Sequence, residues 1–277
     1  MSNNRRIVKT GALAISVTIA FAVFVFYGQT TTGGTTFTVT KVLPQIAVGS
    51  FDGNLTKYST VIEIVNRGAT AVNVAANFYK TTDGTASTLL FATNLTAVPA
   101  ITGGALASTA LDAGKVLVIT TNTATTGTVN WAKIQATGSV SIATFFEIRD
   151  NRTNALYSRV GVTASPANMS KFLIPRVRNV ATGLEVAYAL VNTGSTAASY
   201  TSTLNDATGS VLKTRTDTLA AGAQTAKFAF QFFDLSGEPA GTSYSYIVIE
   251  SSSAQFGAIA VALEGATQTS FPVDQLQ

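Results

Sequence analysis

Two glutamates, Glu63 and Glu147, are the first candidates for chemistry, because each lies in a run of β-branched and aromatic residues. A pair of convergent carboxyls is the catalytic device of glycoside hydrolysis. The immediate neighbours, however, alternate between apolar and charged, as in Ile62-Glu63-Ile64 and Phe146-Glu147-Ile148. Such alternation is typical of a strand with one face in solvent. We therefore interpret both glutamates as solvent-facing strand residues.

The chain contains no His and no Cys. Their absence excludes thiol nucleophiles, disulfides, Cys/His zinc sites and the Ser-His-Asp triad. The sequence accordingly nominates no catalytic, cofactor-binding or metal-binding residue. It predicts a protein that is not an enzyme and that uses no cofactor.

The segment Asp150–Asn154 (Asp-Asn-Arg-Thr-Asn) carries several oxygen ligands of the kind calcium uses. It lacks the regular acidic spacing and the glycine of a dedicated calcium loop. Asp and Asn side chains also bond to their own backbone in turns. We favour a plain turn.

Five arginines fall around the middle of the chain. They can contact an anionic polymer or a partner, or they can form ion pairs with Asp150 or Glu185 in a seam between two domains. We favour the seam for this set: Arg149, Arg152, Arg159, Arg176 and Arg178.

The densest aromatic run is Phe228–Phe233. It can form an aromatic platform for a sugar, but Phe lacks the polar group of Tyr or Trp. A strand period of two would bury Phe228, Phe230 and Phe232 together. We favour the core interpretation.

The N-terminus has the pattern of an export signal. Three cations, Arg5, Arg6 and Lys9, precede an uncharged hydrophobic run at residues 11–27. This order of charge and hydrophobicity is that of a Sec-type signal. Because the positive flank stays in the cytoplasm, everything after Tyr27 is expected outside it.

Residues 1–28 are thus predicted to be a signal peptide or a signal anchor. The run of 17 residues is long for a signal and short for a span, and no small-residue cleavage site follows it. Pilin-like processing near Gly11 is a further alternative. Residues 29–36 form a Gly/Thr-rich linker.

Composition argues for a folded domain without nucleic acid as a partner. Charged residues make up 12% and hydrophobic residues 46% of the chain. The net charge of +4 comes largely from the three cations at the N-terminus, so the remainder is almost neutral. Disorder and phosphate binding both need more charge than this.

The rest of the sequence predicts an all-β fold. Short β-branched and aromatic runs alternate with Gly-containing turns, a pattern typical of sandwiches and barrels. The clearest of these runs start at Tyr58, Val72, Val116, Trp131 and Val140.

An internal repeat organises these strands. Residues 63–71 match residues 189–197, and Asp112-Ala-Gly-Lys matches Ala220-Ala-Gly-Ala. Without a gap, residues 131–148 align with residues 246–263. In this alignment Glu63 and Glu147 correspond to Ala189 and Ala262, so the carboxylate pair is not a property of the repeat.

The repeat predicts two tandem Ig-like β-sandwich domains, at residues 37–166 and 171–277, joined by residues 167–170. The first copy is longer around Leu89–Ala110, which we predict to be a long loop or an added hairpin. We also expect Trp131 and Tyr246 to occupy equivalent, core-facing positions.

The second copy resembles a known type of module. The resemblance rests on four segments: Leu190-Val-Asn-Thr-Gly-Ser-Thr-Ala-Ala, Leu204-Asn-Asp-Ala-Thr-Gly-Ser-Val-Leu, Leu219-Ala-Ala-Gly-Ala-Gln-Thr-Ala and Gln268-Thr-Ser-Phe-Pro-Val. With them, residues 40–277 resemble tandem Ig-like β-sandwich modules of secreted and surface bacterial proteins, notably acidobacterial ones. The resemblance implies an extracytoplasmic accessory or surface domain and brings no catalytic residues.

These observations predict a non-enzymatic structural or adhesive surface protein, either membrane-anchored and facing outward or secreted. The expected partners are the membrane, through residues 11–27 if they are not cleaved, and a surface polymer, a protein or further copies of the chain. Two alternatives remain open: a carbohydrate- or peptide-binding accessory module, and a pilin-like subunit of an extracellular filament.

Overall fold

The computed structural model describes residues 35–276, except 123, 180, 236–243, 254, 265–266 and 272. The predicted signal or anchor (1–28), the hydrophobic run 11–27 and most of the Gly/Thr linker lie outside the described residues. Within the described ranges, no helix is long and apolar enough to span a membrane. These ranges are mostly strands, which confirms the predicted all-β class.

The first half, residues 35–162, forms two antiparallel sheets. Its strands are β1 (Val39–Val48), β2 (Thr56–Asn66), β3 (Val72–Lys80), β4 (Phe91–Leu95), β5 (Val98–Ile101), β6 (Ala105–Leu111), β7 (Val116–Thr121), β8 (Thr128–Ala136), β9 (Val140–Asp150) and β10 (Leu156–Val162). One sheet has the order β1-β8-β3-β6, and the other has the order β10-β9-β2-β7-β4-β5.

Alternation along these strands builds the core between the two sheets. In β8, Ala132, Ile134 and Ala136 are fully buried and face the inside. In β2, Ile62 and Ile64 do the same from the opposite sheet. Because side chains in a strand alternate between faces, the residues between them point away from this core.

The second half, residues 171–276, forms a continuous sheet that folds around its own core. Its elements are β11 (Lys171–Asn179), β12 (Leu184–Asn192), β13 (Ala198–Asn205), β14 (Val211–Leu219), β15 (Gln224–Phe228), α1 (Ala229–Phe233), β16 (Tyr244–Glu250), β17 (Phe256–Glu264), β18 (Thr267–Phe271) and β19 (Asp274–Gln275). The order is β14-β13-β16-β11-β12-β17-β18, with β15 on β12 and β19 on β11. The predicted join at 167–170 falls between β10 and β11.

Eight strands follow the same order in both halves. The series β1-β8-β3-β6 corresponds to β11-β16-β13-β14, and β10-β9-β2-β7 corresponds to β18-β17-β12-β15. The extra residues of the first half form the hairpin β4–β5, which extends the sheet beyond β7. The longer segment in the first copy is therefore a hairpin, one of the two predicted forms.

Two asparagines mark the repeat at atomic level. The Asn66 side chain donates to the carbonyls of Thr70 and Leu111, at 2.8 and 2.9 Å, and accepts from the Gly68 amide. Asn192 makes the same three bonds at its own corner, to the carbonyls of Thr196 and Leu219 and from the Gly194 amide. The predicted match of residues 63–71 with 189–197 is thus seen in the hydrogen bonds.

The gapless alignment of residues 131–148 with 246–263 is correct only in part. Ala132 opposes Leu43 as Ile247 opposes Ile174, so β8 and β16 align as predicted. Asn66 then opposes Val140, whereas Asn192 opposes Phe256, one position later than predicted. The turn before β17 is one residue longer than the turn before β9. The counterpart of Glu147 is consequently Leu263 and not Ala262.

Trp131 and Tyr246 do occupy equivalent positions, but the prediction that both face a core is wrong. Trp131 shares its strand face with Lys133, opposite the face of Ala132 and Ile134. Trp131 is only 3% exposed because the second half covers it. Tyr246 is half-buried.

Candidate functional site

Glu63 and Glu147 lie on the outer face of the six-stranded sheet and do not converge. Glu63 opposes Ala143, and Glu147 opposes Ser59 on the neighbouring strand. The backbone positions of the two residues are therefore four residues apart along the strand direction, a separation of about 13 Å. Glycosidases hold their carboxyls about 5 to 10 Å apart. The placement agrees with the interpretation as outer-face residues.

Glu147 is held by two arginines. Its carboxylate accepts from Arg149 at 3.0 Å and from Arg159 at 2.6 Å. Burial alone would raise the pKa of Glu147, but the bonds from Arg149 and Arg159 outweigh it and hold the pKa below the usual 4.5. The Arg159 guanidinium also lies 5.2 Å from the centre of the Phe145 ring. Glu147 is thus an ionised structural carboxylate.

The arginines do not form one cluster at the join. Arg149 and Arg159 are on the outer face of the first half and pair with Glu147, not with Asp150 as predicted. Arg178 pairs with Glu185 at 2.7 Å on the second half, as predicted. Arg152 is exposed, and the side chain of Arg176 lies outside the described residues.

Asp150 closes a turn. Its carboxylate accepts from the amides of Arg152 and Thr153 and from the hydroxyl of Tyr157, at 2.9, 2.5 and 2.6 Å. The Tyr157 hydroxyl and these amides lower the pKa of Asp150 well below its usual range. The geometry is that of the predicted Asx turn. Within the described residues, no three acidic side chains come together as metal ligands would.

The aromatic run at Phe228–Phe233 is not a continuous strand. The strand ends at Phe228 and one helical turn follows, so Phe232 and Phe233 are buried while Phe228 and Phe230 are half-buried and stacked on each other. The prediction that Phe228, Phe230 and Phe232 are buried together is wrong. A helical spacing of three and four residues, which buries Ala229 with Phe232 and Phe233, applies instead.

The two halves meet along an apolar contact that we call the seam. Its first part contains Val42, Trp131 and Val191, all buried. Tyr79 stacks on Trp131 with ring centres 4.2 Å apart, and the indole donates to the carbonyl of Gly222 at 2.8 Å. A buried aromatic with a satisfied N–H is thus part of the contact between the halves.

Two glycines make this contact possible. Gly84 and Gly222 have φ values of +66° and +67°, a conformation that favours glycine. A Cβ on Gly222 would lie 2.7 Å from the Gly84 Cα, closer than atoms can pack. The two backbones therefore touch directly. Beside them the backbone N–H of Gln224 donates to the carbonyl of Thr81 at 2.8 Å.

The second part of the seam joins Ala47, Phe146 and Val160 of the first half to Ala189 and Ile259 of the second. The chain between the halves is also held in place. Ser165 bonds to Val42 through both backbone groups, and Met169 bonds to Phe256 in the same way. The segment that connects the halves is thus hydrogen-bonded through its backbone to both of them.

The seam explains why the carboxylates do not recur in the second copy. On the first half, Glu63, Phe145 and Glu147 face outward. The counterparts on the second half are Ala189, Val261 and Leu263, which face the seam. One sheet face is therefore charged in the copy where it meets water and apolar in the copy where it meets protein. The loss of charge between the copies is the sequence signal that marks the seam.

A cavity of about 310 Å³ lies where the seam is incompletely filled. We call it the seam cavity. Aromatic side chains and glutamine amides line it together with small apolar residues of both halves: Gln45, Ala47, Phe51, Tyr58, Val129, Phe146, Ala187, Tyr188, Ala189, Ala226, Lys227, Phe228, Gln231, Ile259, Val261, Leu263 and Gln268. It is the candidate binding site of the molecule, since ligand sites favour apolar cavities between domains.

Comparison with known proteins adds little. No protein-family model matches the chain, and no curated protein matches it. Among solved structures, an anti-sigma factor domain-containing protein is similar at 12% identity over 84% of this chain and 90% of that chain, with a TM-score of 0.15. A TM-score of this size carries no argument about fold or function.

Proposed function

We propose that the chain is a non-enzymatic, extracytoplasmic structural or adhesive surface protein whose halves are two Ig-like β-sandwiches fused into one stiff body. The observation that carries this proposal is the seam between two copies of one strand order. Direct backbone contact, a bonded indole and paired connecting residues oppose bending at the join. A stiff pair of domains presents its far end at a fixed distance from its attachment, as a surface protein requires.

Support for the non-enzymatic role comes from the carboxylates. Glu147 is neutralised by two arginines, and Asp150 is used in a turn. Asp83 and Asp206 likewise accept from the amides of their own hairpins. Each of these groups has a structural partner that would have to be removed before it could act on a substrate.

Support for export comes from the N-terminal order of cations and hydrophobic residues. The test is to express the full chain in a bacterial host and to add protease to intact spheroplasts. Residues 35–276 should be digested while a cytoplasmic control protein survives. Protection of these residues would overturn the topology. Mass spectrometry of the mature chain distinguishes an anchor, a cleaved signal and processing near Gly11.

The adhesive role is tested on the same cells. Cells that display the chain should be retained on polymer- or protein-coated surfaces more than cells with an empty vector, and external protease should remove the difference. A panel of hydrolase substrates should give background rates. Unchanged retention would contradict adhesion. Turnover that is lost in Glu63→Gln or Glu147→Gln would contradict the non-enzymatic role.

A second candidate function is that of an accessory binding module. The observation that favours it is the seam cavity, whose inner end is apolar and buried.

A further inference from the structure

The seam cavity exists because three alanines form its floor. Ala187, Ala189 and Ala226 stand on adjacent strands of the second half, and strand pairing places them side by side. The equivalent positions of the first half hold larger residues: Val61, Glu63 and Val118, paired with one another in the same way. The cavity is thus a local difference between two otherwise equivalent sheets.

The inner end of the cavity is apolar. Ala47, Phe146, Ala189 and Ile259 are almost completely buried there and belong to one apolar cluster. They offer no side-chain hydrogen bond. A ligand group that reaches this end must therefore be apolar as well, because an unpaired buried polar group costs on the order of 1–3 kcal/mol.

The outer end is polar but uncharged. The side-chain amide of Gln268 donates to the hydroxyl of Tyr58 at 3.4 Å. Gln45 and Gln231 add two more side-chain amides to the lining. Lys227 also borders the cavity, but it is paired with Tyr188, whose ring lies in the core of the second half. Its side chain therefore leaves the strand on the face opposite the alanines.

We propose that the seam cavity binds a neutral, flat amphipathic molecule: an aromatic ring system that enters ring first and keeps one hydroxyl or amide group at the outer end. An apolar cavity of roughly 150 Å³ is large enough for benzene, so about 310 Å³ accommodates a bicyclic ring. Sugars are excluded as good ligands because hydroxyls surround their rings and would be buried without partners. Ions are poor ligands because Lys227, the charged residue that borders the cavity among the described residues, leaves its strand on the face opposite the alanines.

The test uses three probes: 2-naphthol as the neutral ligand, 2-naphthoate as its anionic analogue and methyl glucoside as a sugar. The full chain is held in lipid nanodiscs, and equilibrium dialysis fixes the free probe concentration, so that partition into lipid does not enter the affinity. The methyl resonance of labelled Ala189, which the parent and all variants keep, reports binding. We expect 2-naphthol to shift it, with a Kd of about 1 mM or tighter, and the other two probes to bind at least tenfold more weakly.

The variant that tests the site is Ala187→Val/Ala226→Val, which fills the floor with the residues that the first half carries at the equivalent positions. It should fold, and it should weaken 2-naphthol binding at least tenfold. The matched control is Val61→Ala/Val118→Ala, which changes the same positions on the outer face of the first half and should bind like the parent. Equal binding by the filled variant, no shift by 2-naphthol, or tighter binding of either other probe would overturn the proposal.

Discussion

Asn66 and Asn192 show how one buried side chain defines a corner of each half. Both are at most 1% exposed, and each amide satisfies two carbonyls and one backbone N–H. The backbone carbonyls of Asn66 and Asn192 accept from the backbone N–H groups of Gly114 and Gly222, which lie in later turns of the chain. A single residue thus connects the end of one strand to two later segments, which is why the motif is present in both copies.

Replacing either asparagine by alanine should therefore be costly. We expect Asn66→Ala and Asn192→Ala each to lower the free energy of unfolding by about 2–3 kcal/mol, since buried carbonyls lose their donors. Chemical denaturation measures the change. Asn77→Ala is the control, because Asn77 makes no side-chain hydrogen bond to the described residues; it should lie within about 1 kcal/mol of the parent. Equal effects at all three positions would refute the role of the corner.

The ion pairs of Glu147 give the stability a dependence on pH. Because the pKa of Glu147 is lower in the folded protein than its usual 4.5, ionisation stabilises the fold above that pH. The contribution is lost as the pH falls through the folded value. Glu147→Gln should cost about 1 kcal/mol at pH 7, and the difference from the parent should shrink as the pH is lowered below 4.5.

Glu63→Gln is the matched control for this substitution. Glu63 stands on the same outer face but makes no ion pair with the described residues. Its substitution should therefore cost less than Glu147→Gln at pH 7. If the effect of Glu147→Gln were the same at pH 3 and pH 7, the arginine pairs would not be its cause.

At the scale of elements, the short helix α1 divides the aromatic run into buried and half-buried members. Phe232 contacts the rings of Tyr188 and Tyr200 inside the second-half core, and Arg215 lies 4.8 Å from its ring centre. Phe230 packs only at the edge of that core. Phe232→Ala should cost about 3–5 kcal/mol, measured by denaturant unfolding.

Phe230→Ala separates the helical from the strand arrangement. In a strand of period two, Phe230 and Phe232 would share a face, and their substitutions would cost about the same. In the helical turn the cost at Phe230 should be less than half of that at Phe232. Similar costs at the two positions would contradict the helix.

Local patterns predicted the elements well where backbone sterics decide them. Alternation located the strands, and Gly114 and Gly222 mark turns that need positive φ. The failures have physical reasons. The alternation of side chains along a strand shows which residues share a face, but it does not show what covers that face. The prediction that Trp131 faces a core is wrong for this reason. The alignment slipped at β17 because turn length is free to change by one residue without changing either strand.

The candidate site was beyond local patterns for a similar reason. No single alanine indicates a cavity, because a small residue on a strand is common. The signal was available only in the comparison of the copies: the outer face carries Val61, Glu63 and Val118 in one and alanines in the other. The same comparison indicates that the apolar outer face of the second copy contacts protein, which no single strand of either copy shows.

At the scale of the whole molecule, the seam couples two halves that each have a separate core. Trp131 is central to this coupling, since its indole donates to the carbonyl of Gly222 and packs in one buried cluster with Val191 of the second half. The parent should therefore unfold as one cooperative unit, with equal calorimetric and van't Hoff enthalpies. Trp131→Ala should separate the halves into two transitions, because it removes contact at the seam while leaving both cores intact.

Tyr246→Ala is the matched control, because Tyr246 occupies the same strand position on the second half but lies outside the two seam clusters. This substitution should lower the midpoint of unfolding modestly and keep a single transition. Differential scanning calorimetry of the full chain in nanodiscs measures both variants. If Trp131→Ala shifts one transition without splitting it, the remaining seam contacts couple the halves without the indole, and the central role of Trp131 is wrong. If the parent already unfolds in two steps, the seam does not couple them, and the proposal of one stiff body is wrong.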